Sequence, residues 1–170
     1  MSRATVRAQI ASYLSGAGIT YLSTVKPFPA KFTPEMEFYA GEDPGHSSGA
    51  IVYIYFASQI EDRIALGGTH SGRKSVEYEV VLDCFMRSTH KKSEDAGADS
   101  EAFIDSLVNA IRADRNAGNA QIIFQWGEGT FPGSPDINVT SYYPRSLAGS
   151  AMTTQTYSQI RVTVVEIINA

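Results

Sequence analysis

Six apolar residues at every second position, Val76, Tyr78, Val80, Leu82, Cys84 and Met86, run through the stretch SVEYEVVLDCFMR. The positions between them, Glu77, Glu79, Val81, Asp83, Phe85 and Arg87, are mixed. Successive side chains of a strand point to opposite faces, so the alternation predicts one wholly apolar face and one of mixed character. A half-buried strand of that kind belongs to an antiparallel sheet covered on one side. The rest of the chain has to supply that cover.

Two segments have the spacing to do so. Val6, Ile10, Tyr13 and Leu14 predict an amphipathic helix from Arg3 to Ser15, stopped by the GAG of Gly16 to Gly18. Phe103, Ile104, Leu107, Val108 and Ile111 predict a second from about Ala98 to Arg115, with Asp99 or Ser100 as its N-cap and NAGN ending it. Further strands are expected at Ile19 to Val25, in AIVYIYFAS (Ala50 to Ser58), and as a shorter piece in EDRIALGG. Others follow in AQIIFQWG, around Ile137 to Tyr142, and from about Thr154 to Ile168, where Ile160, Val162 and Val164 share a face. The order helix, strands, helix, strands predicts an α+β fold: a mostly antiparallel sheet with two main helices on one face, in a single domain over residues 1–170.

Two long connections stand out. ITYLSTVKPFPAKFTPEMEFYAGEDPGHSSG holds four of the seven prolines, and EGTFPGSPDINVTSYYPRSLAGSAM is turn-rich. Connections beyond about 15 residues usually carry function or become ordered on binding.

Composition narrows the function classes. With 170 residues and 43% hydrophobic content, the chain can bury a core without disulfides or a structural metal. Cys84 is the single cysteine, which excludes an internal disulfide and a cysteine zinc cluster and fits a reducing compartment. Its place on the apolar face predicts a buried, inert thiol. Arg7, Gln9 and Ser12 interrupt MSRATVRAQIASYLSG, so a signal peptide is not expected, and no run approaches the roughly 18–20 apolar residues of a membrane span. A formal net charge of −4 gives no electrostatic reason for general nucleic-acid affinity. The expectation is a soluble, intracellularly made, mildly acidic domain.

Two motifs suggest catalysis and then fail on context. GGTHSGRKS (Gly67 to Ser75) has the glycine spacing of a phosphate-binding P-loop, but Arg73 precedes Lys74 and the next element is a strand. Without a helix N-terminus behind it, the loop lacks the amides that cradle phosphate. It reads as a glycine-rich hairpin tip carrying His70, Arg73 and Lys74. GHSSG (Gly45 to Gly49) matches G-x-S-x-G with Ser47 as nucleophile, yet it also runs into a strand rather than a helix. His46, His70 and His90 fall in loops without a metal-ligand motif, and Glu61 to Arg63 reads as a charged turn. The sequence therefore points away from an enzyme, and to no cofactor and no metal.

The segments, taken in order, then carry a likeness. A first helix is followed by an extended connection, a strand pair with a glycine-rich tip, a strong helix ending LVNAIRADRNAGN, a strand ending FQWGEG, a long loop, and the terminal strand YSQIRVTVVEII. This layout resembles the tail-terminator (tail-completion) family of long-tailed bacteriophages and their related neck proteins, over most of the chain. The resemblance implies a virion structural subunit, at the head-proximal end of the tail and assembled in the host cytoplasm. It would form a six-fold homo-oligomeric ring that caps the tail-tube protein, stops its polymerisation and joins the head-tail connector or neck protein. DNA contact would be incidental in the lumen, with no membrane involved. Interface anchors are expected at Arg73 and Lys74 on the hairpin tip, and at Trp126, Phe131, Tyr142, Tyr143 and Arg145 around the long loop. A head-closure, neck or other minor tail protein is the alternative within the same particle; a small serine hydrolase or nucleotide-binding enzyme is the alternative outside it.

Overall fold

A computed structural model of the protein describes residues 2–30, 48–65, 72–88, 90, 93–114, 116–118, 122–125, 137–142 and 154–169. The elements run α1 (Arg3–Gly16), β1 (Leu22–Lys26), β2 (Gly49–Ala65), β3 (Arg73–Ser88), α2 (Ser93–Ala113), β4 (Ile122–Gln125), β5 (Asn138–Tyr142) and β6 (Thr154–Asn169). The six strands make one sheet in the order β1-β2-β3-β6, with β4 and β5 pairing successive stretches of the far side of β6. All pairings are antiparallel except β1 with β2.

Both helices lie on one face, as the alternation in β3 requires. Val6, Ile10 and Leu14 of α1 and Phe103, Leu107 and Ile111 of α2 pack on Val52, Ile54, Val80, Leu82, Met86, Ile160 and Val162. Two hydrogen bonds hold the helices together: the Tyr13 hydroxyl donates to the Ala110 carbonyl at 2.6 Å, and Gln9 Nε2 to that of Ala117 at 3.1 Å. Ser2 caps α1 by accepting from the Thr5 amide. After α1, Gly18 takes a left-handed φ of +67°, the conformation that glycine adopts without strain.

Two sequence expectations are corrected. AIVYIYFAS and EDRIAL form one strand, not two. The pairing of β2 with β3 shifts by one residue between Phe56 and Ser58, so a bulge at Ala57 exchanges the faces of the side chains from Ser58 to Asp62; the register shifts again between Arg63 and Ala65. The apolar pattern breaks there while the backbone runs on. Second, α2 begins at Ser93 with Glu94 and Asp95 in its first turn, where carboxylates suit the helix dipole. Asp99 and Ser100 are therefore not caps; they are buried in the next turn. The sheet is mostly antiparallel, as expected, and β1 with β2 is its parallel pair. Gly49 permits it: a Cβ there would meet Ser23 Oγ at 2.6 Å.

Candidate functional site

The sheet face away from the helices is built from the odd positions of β3 and β6. Across it runs a ribbon of five aromatic rings from Phe28, just after β1, to Tyr142 on β5. Ring centroids are 6.2 Å apart for Phe28 and Tyr53, 5.9 Å for Tyr53 and Phe85, 4.9 Å for Phe85 and Tyr157, and 5.3 Å for Tyr157 and Tyr142. These spacings are those of favourable edge-on and offset contacts. The middle is buried and the ends are open: Phe28 is 45% and Tyr142 54% exposed.

Beside the ribbon, Asp83 is an acceptor hub only 5% exposed. It takes hydrogen bonds from the Tyr157 hydroxyl at 2.7 Å and Gln159 Nε2 at 3.0 Å, and its charge is felt by Tyr55. Burial, reinforced by the bond to Asp83, pushes the Tyr157 hydroxyl pKa well above the tyrosine range and raises that of Tyr55. These hydroxyls stay protonated donors at neutral pH. Arg161 pairs with Glu79 at 2.7 Å further along the same face.

A second hub is Asp99 on α2. It accepts from Ser88 Oγ at 2.8 Å, Tyr21 Oη at 3.0 Å and Ser48 Oγ at 3.4 Å, and His90 Nε2 lies 3.6 Å away. The residue types resemble a hydrolytic triad, but the wiring does not. In a triad the serine hydroxyl bonds the imidazole and the carboxylate orients its other nitrogen. Here both serines donate straight to the carboxylate, and the imidazole faces that same carboxylate. The cluster fastens the starts of β1 and β2 and the end of β3 to α2. Below it, a groove of about 190 Å³ between α2 and β5–β6 is lined by Ser100, Glu101, Asp105, Ser141 and Thr156 among others.

The expected anchors divide. Tyr142 is on the surface at the end of the ribbon. Lys74 lies in β3 and is engaged by Glu61 at 2.7 Å, with both side chains partly exposed; Arg73 opens β3. Trp126, Phe131, Tyr143 and Arg145 lie outside the described residues, as do Ser47, His46 and His70. Cys84 is 1% exposed, and burial pushes its thiol pKa far up, so it is inert. Among the described residues, no three His, Cys, Asp or Glu side chains converge on a possible metal position. No helix among them is long and apolar enough to cross a membrane.

Sequence reading missed Phe28, Tyr53, Phe85, Tyr157 and both aspartate hubs. The available signal was weak. Tyr53 and Phe85 sit on the mixed face of strands, where a single sequence does not say which neighbours share a rung. Comparison with models of protein families and with curated proteins finds no match to this chain.

Proposed function

We propose that this protein is a ring-forming structural subunit of a phage tail, of the tail-terminator type. The reading rests on the layout resemblance, and one structural observation supports it. Among the described residues, five large apolar or aromatic side chains are exposed, and four of them, Tyr21, Phe28, Val139 and Tyr142, flank or lie on β1 and β5, edge strands on opposite sides of the sheet. Two separate apolar edges on opposite sides of one subunit suit head-to-tail association, which generates rings or filaments. A binding module for one partner needs only one such edge.

In this reading the subunit does no covalent chemistry. Its work is complementarity: side to side with its own copies, and along the ring axis with the tail tube below and the connector above. The functional test is tube length. Added to a polymerising tail-tube subunit from the same phage, the protein should shorten tubes in proportion to its concentration, with a ring visible at one tube end. Tube lengths unchanged at molar excess, with no density on the ends, would contradict the proposal.

A further inference from the structure

β1 and β5, edge strands on opposite sides of the sheet, lie at the same level. Thr24, Ile51, Phe85, Tyr157 and Tyr142 form one rung across it, and Lys26, Tyr53, Asp83, Gln159 and Thr140 another. β1 therefore ends the sheet on one side and β5 ends it on the other at equal height. No described strand pairs with the outer side of either.

Strand directions agree with this placement. β2 and β6 both run antiparallel to β3, so they are parallel to each other. β1 follows β2, and β5 opposes β6. β5 and β1 therefore point in opposite directions. A copy added head-to-tail keeps its strand directions, so its β1 would meet β5 of the first copy antiparallel, the pairing used almost throughout the sheet.

The composition of β5 fits an edge that is meant to be covered. Monomeric proteins blunt exposed edges with charge, proline or a bulge, because unpaired amides and carbonyls recruit another strand. β5 reads Asn-Val-Thr-Ser-Tyr, with no charge and no proline, pairs with β6 in unbroken register, and is exposed along its whole length. β1 carries a register shift between Leu22 and Thr24 and one charge, Lys26, at its end, so Thr24 to Lys26 is its regular stretch. The outer part of β2, by contrast, carries two register shifts and Glu61 and Asp62.

We infer that β5 of one copy pairs antiparallel with β1 of a second copy, so that the sheet continues from subunit to subunit and the exposed Tyr142 meets the exposed Phe28 of its neighbour. The inference rests on the ring reading above and names the surfaces that carry it. Equal height on the two edges leaves little axial rise per subunit. Such a heterologous contact favours a closed ring over a spiral filament. The aromatic ribbon, open at both ends in one subunit, becomes continuous around the assembly.

Thiol cross-linking tests this, because the native Cys84 is buried. Lys26→Cys and Thr140→Cys place one thiol on each edge, on the helix-free face, for a short bifunctional maleimide. The double variant should give a ladder of multimers. The two single variants should give nothing alone and dimers only when mixed. Dimers from Thr140→Cys alone would mean a symmetric β5–β5 contact and would overturn the inference. Rings without cross-links would overturn it too, while leaving the terminator reading intact. A monomer at every concentration, with no cross-link, would count against both. Tyr142→Lys supplies a check without engineered thiols: native circular dichroism with at least a tenfold rise in the concentration needed for assembly. Unchanged assembly in that variant would also overturn the inference.

Discussion

The two faces of the sheet are made by the same strands, yet they hold together differently. On the helix side, the even positions of β3 from Val76 to Met86 are apolar, buried and closed over by α1 and α2. On the other side, the odd positions hold Asp83, Phe85 and Glu79, organised by individual hydrogen bonds and ring contacts. Leu82 and Asp83 are adjacent in sequence, are both buried, and face opposite ways. One contributes volume to a packed interior; the other contributes acceptor atoms at fixed positions. The first face is held by packed volume, and the second by directed bonds among side chains that are also largely buried.

The largest effect that would break this contrast is expected at Leu82. Leu82→Ala leaves a cavity under both helices and should cost about 2–5 kcal/mol, measured by urea unfolding. Asp83→Ala should cost less, about 1–3 kcal/mol, since it strands the Tyr157 and Gln159 donors rather than opening the core. Equal costs would mean that the helix-free face is as much a core as the other.

Tyr78 sharpens the contrast from inside the apolar face. Its hydroxyl donates to the buried Glu166 carboxylate at 3.0 Å, and burial, helped by that bond, pushes its pKa up to about 12 from an ordinary 10.0. The folded state therefore holds this proton more tightly than the unfolded chain. The stabilisation is fully present below pH 10.0 and is lost as pH rises through about 12. Tyr78→Phe should flatten that alkaline slope in thermal melts between those two values. An unchanged slope would place the titration elsewhere.

The smallest effect is expected at Lys74. Its pair with Glu61 is partly exposed, so Lys74→Glu should change monomer stability by less than about 1 kcal/mol. Whether the same change weakens assembly, read by ultracentrifugation, decides if the hairpin tip belongs to the interface as the sequence suggested.

Much of the first face was legible in the sequence, because burial imposes a period. The alternation of Val76 to Met86 and the stripe from Phe103 to Ile111 predicted the strand, the helix and the face on which they meet. The bulge at Ala57 was not legible, since a face exchange looks like the end of a strand. Nor was the start of α2: Ser93 to Gly97 lack the apolar spacing that marks Phe103 to Ile111, so the first turn falls outside the periodic stripe. The second face was harder. In a linear reading Asp83 falls on the mixed face of a strand and Asp99 reads as a helix cap; only the tertiary fold brings Tyr157 and Gln159 to the one, and Ser88, Ser48 and Tyr21 to the other. Tyr142 was identified as an anchor for its chemistry and its place near a long loop, without its position at the end of a ribbon.

The central claim is that this chain is built to associate side to side into a closed ring. Light scattering across the size-exclusion peak, with negative-stain images of the same fraction over a range of concentrations, tests it most directly. The account predicts closed rings of uniform subunit number that dissociate without unfolding on dilution. A population that stays monomeric at the highest concentrations, or that grows into open filaments, would contradict it.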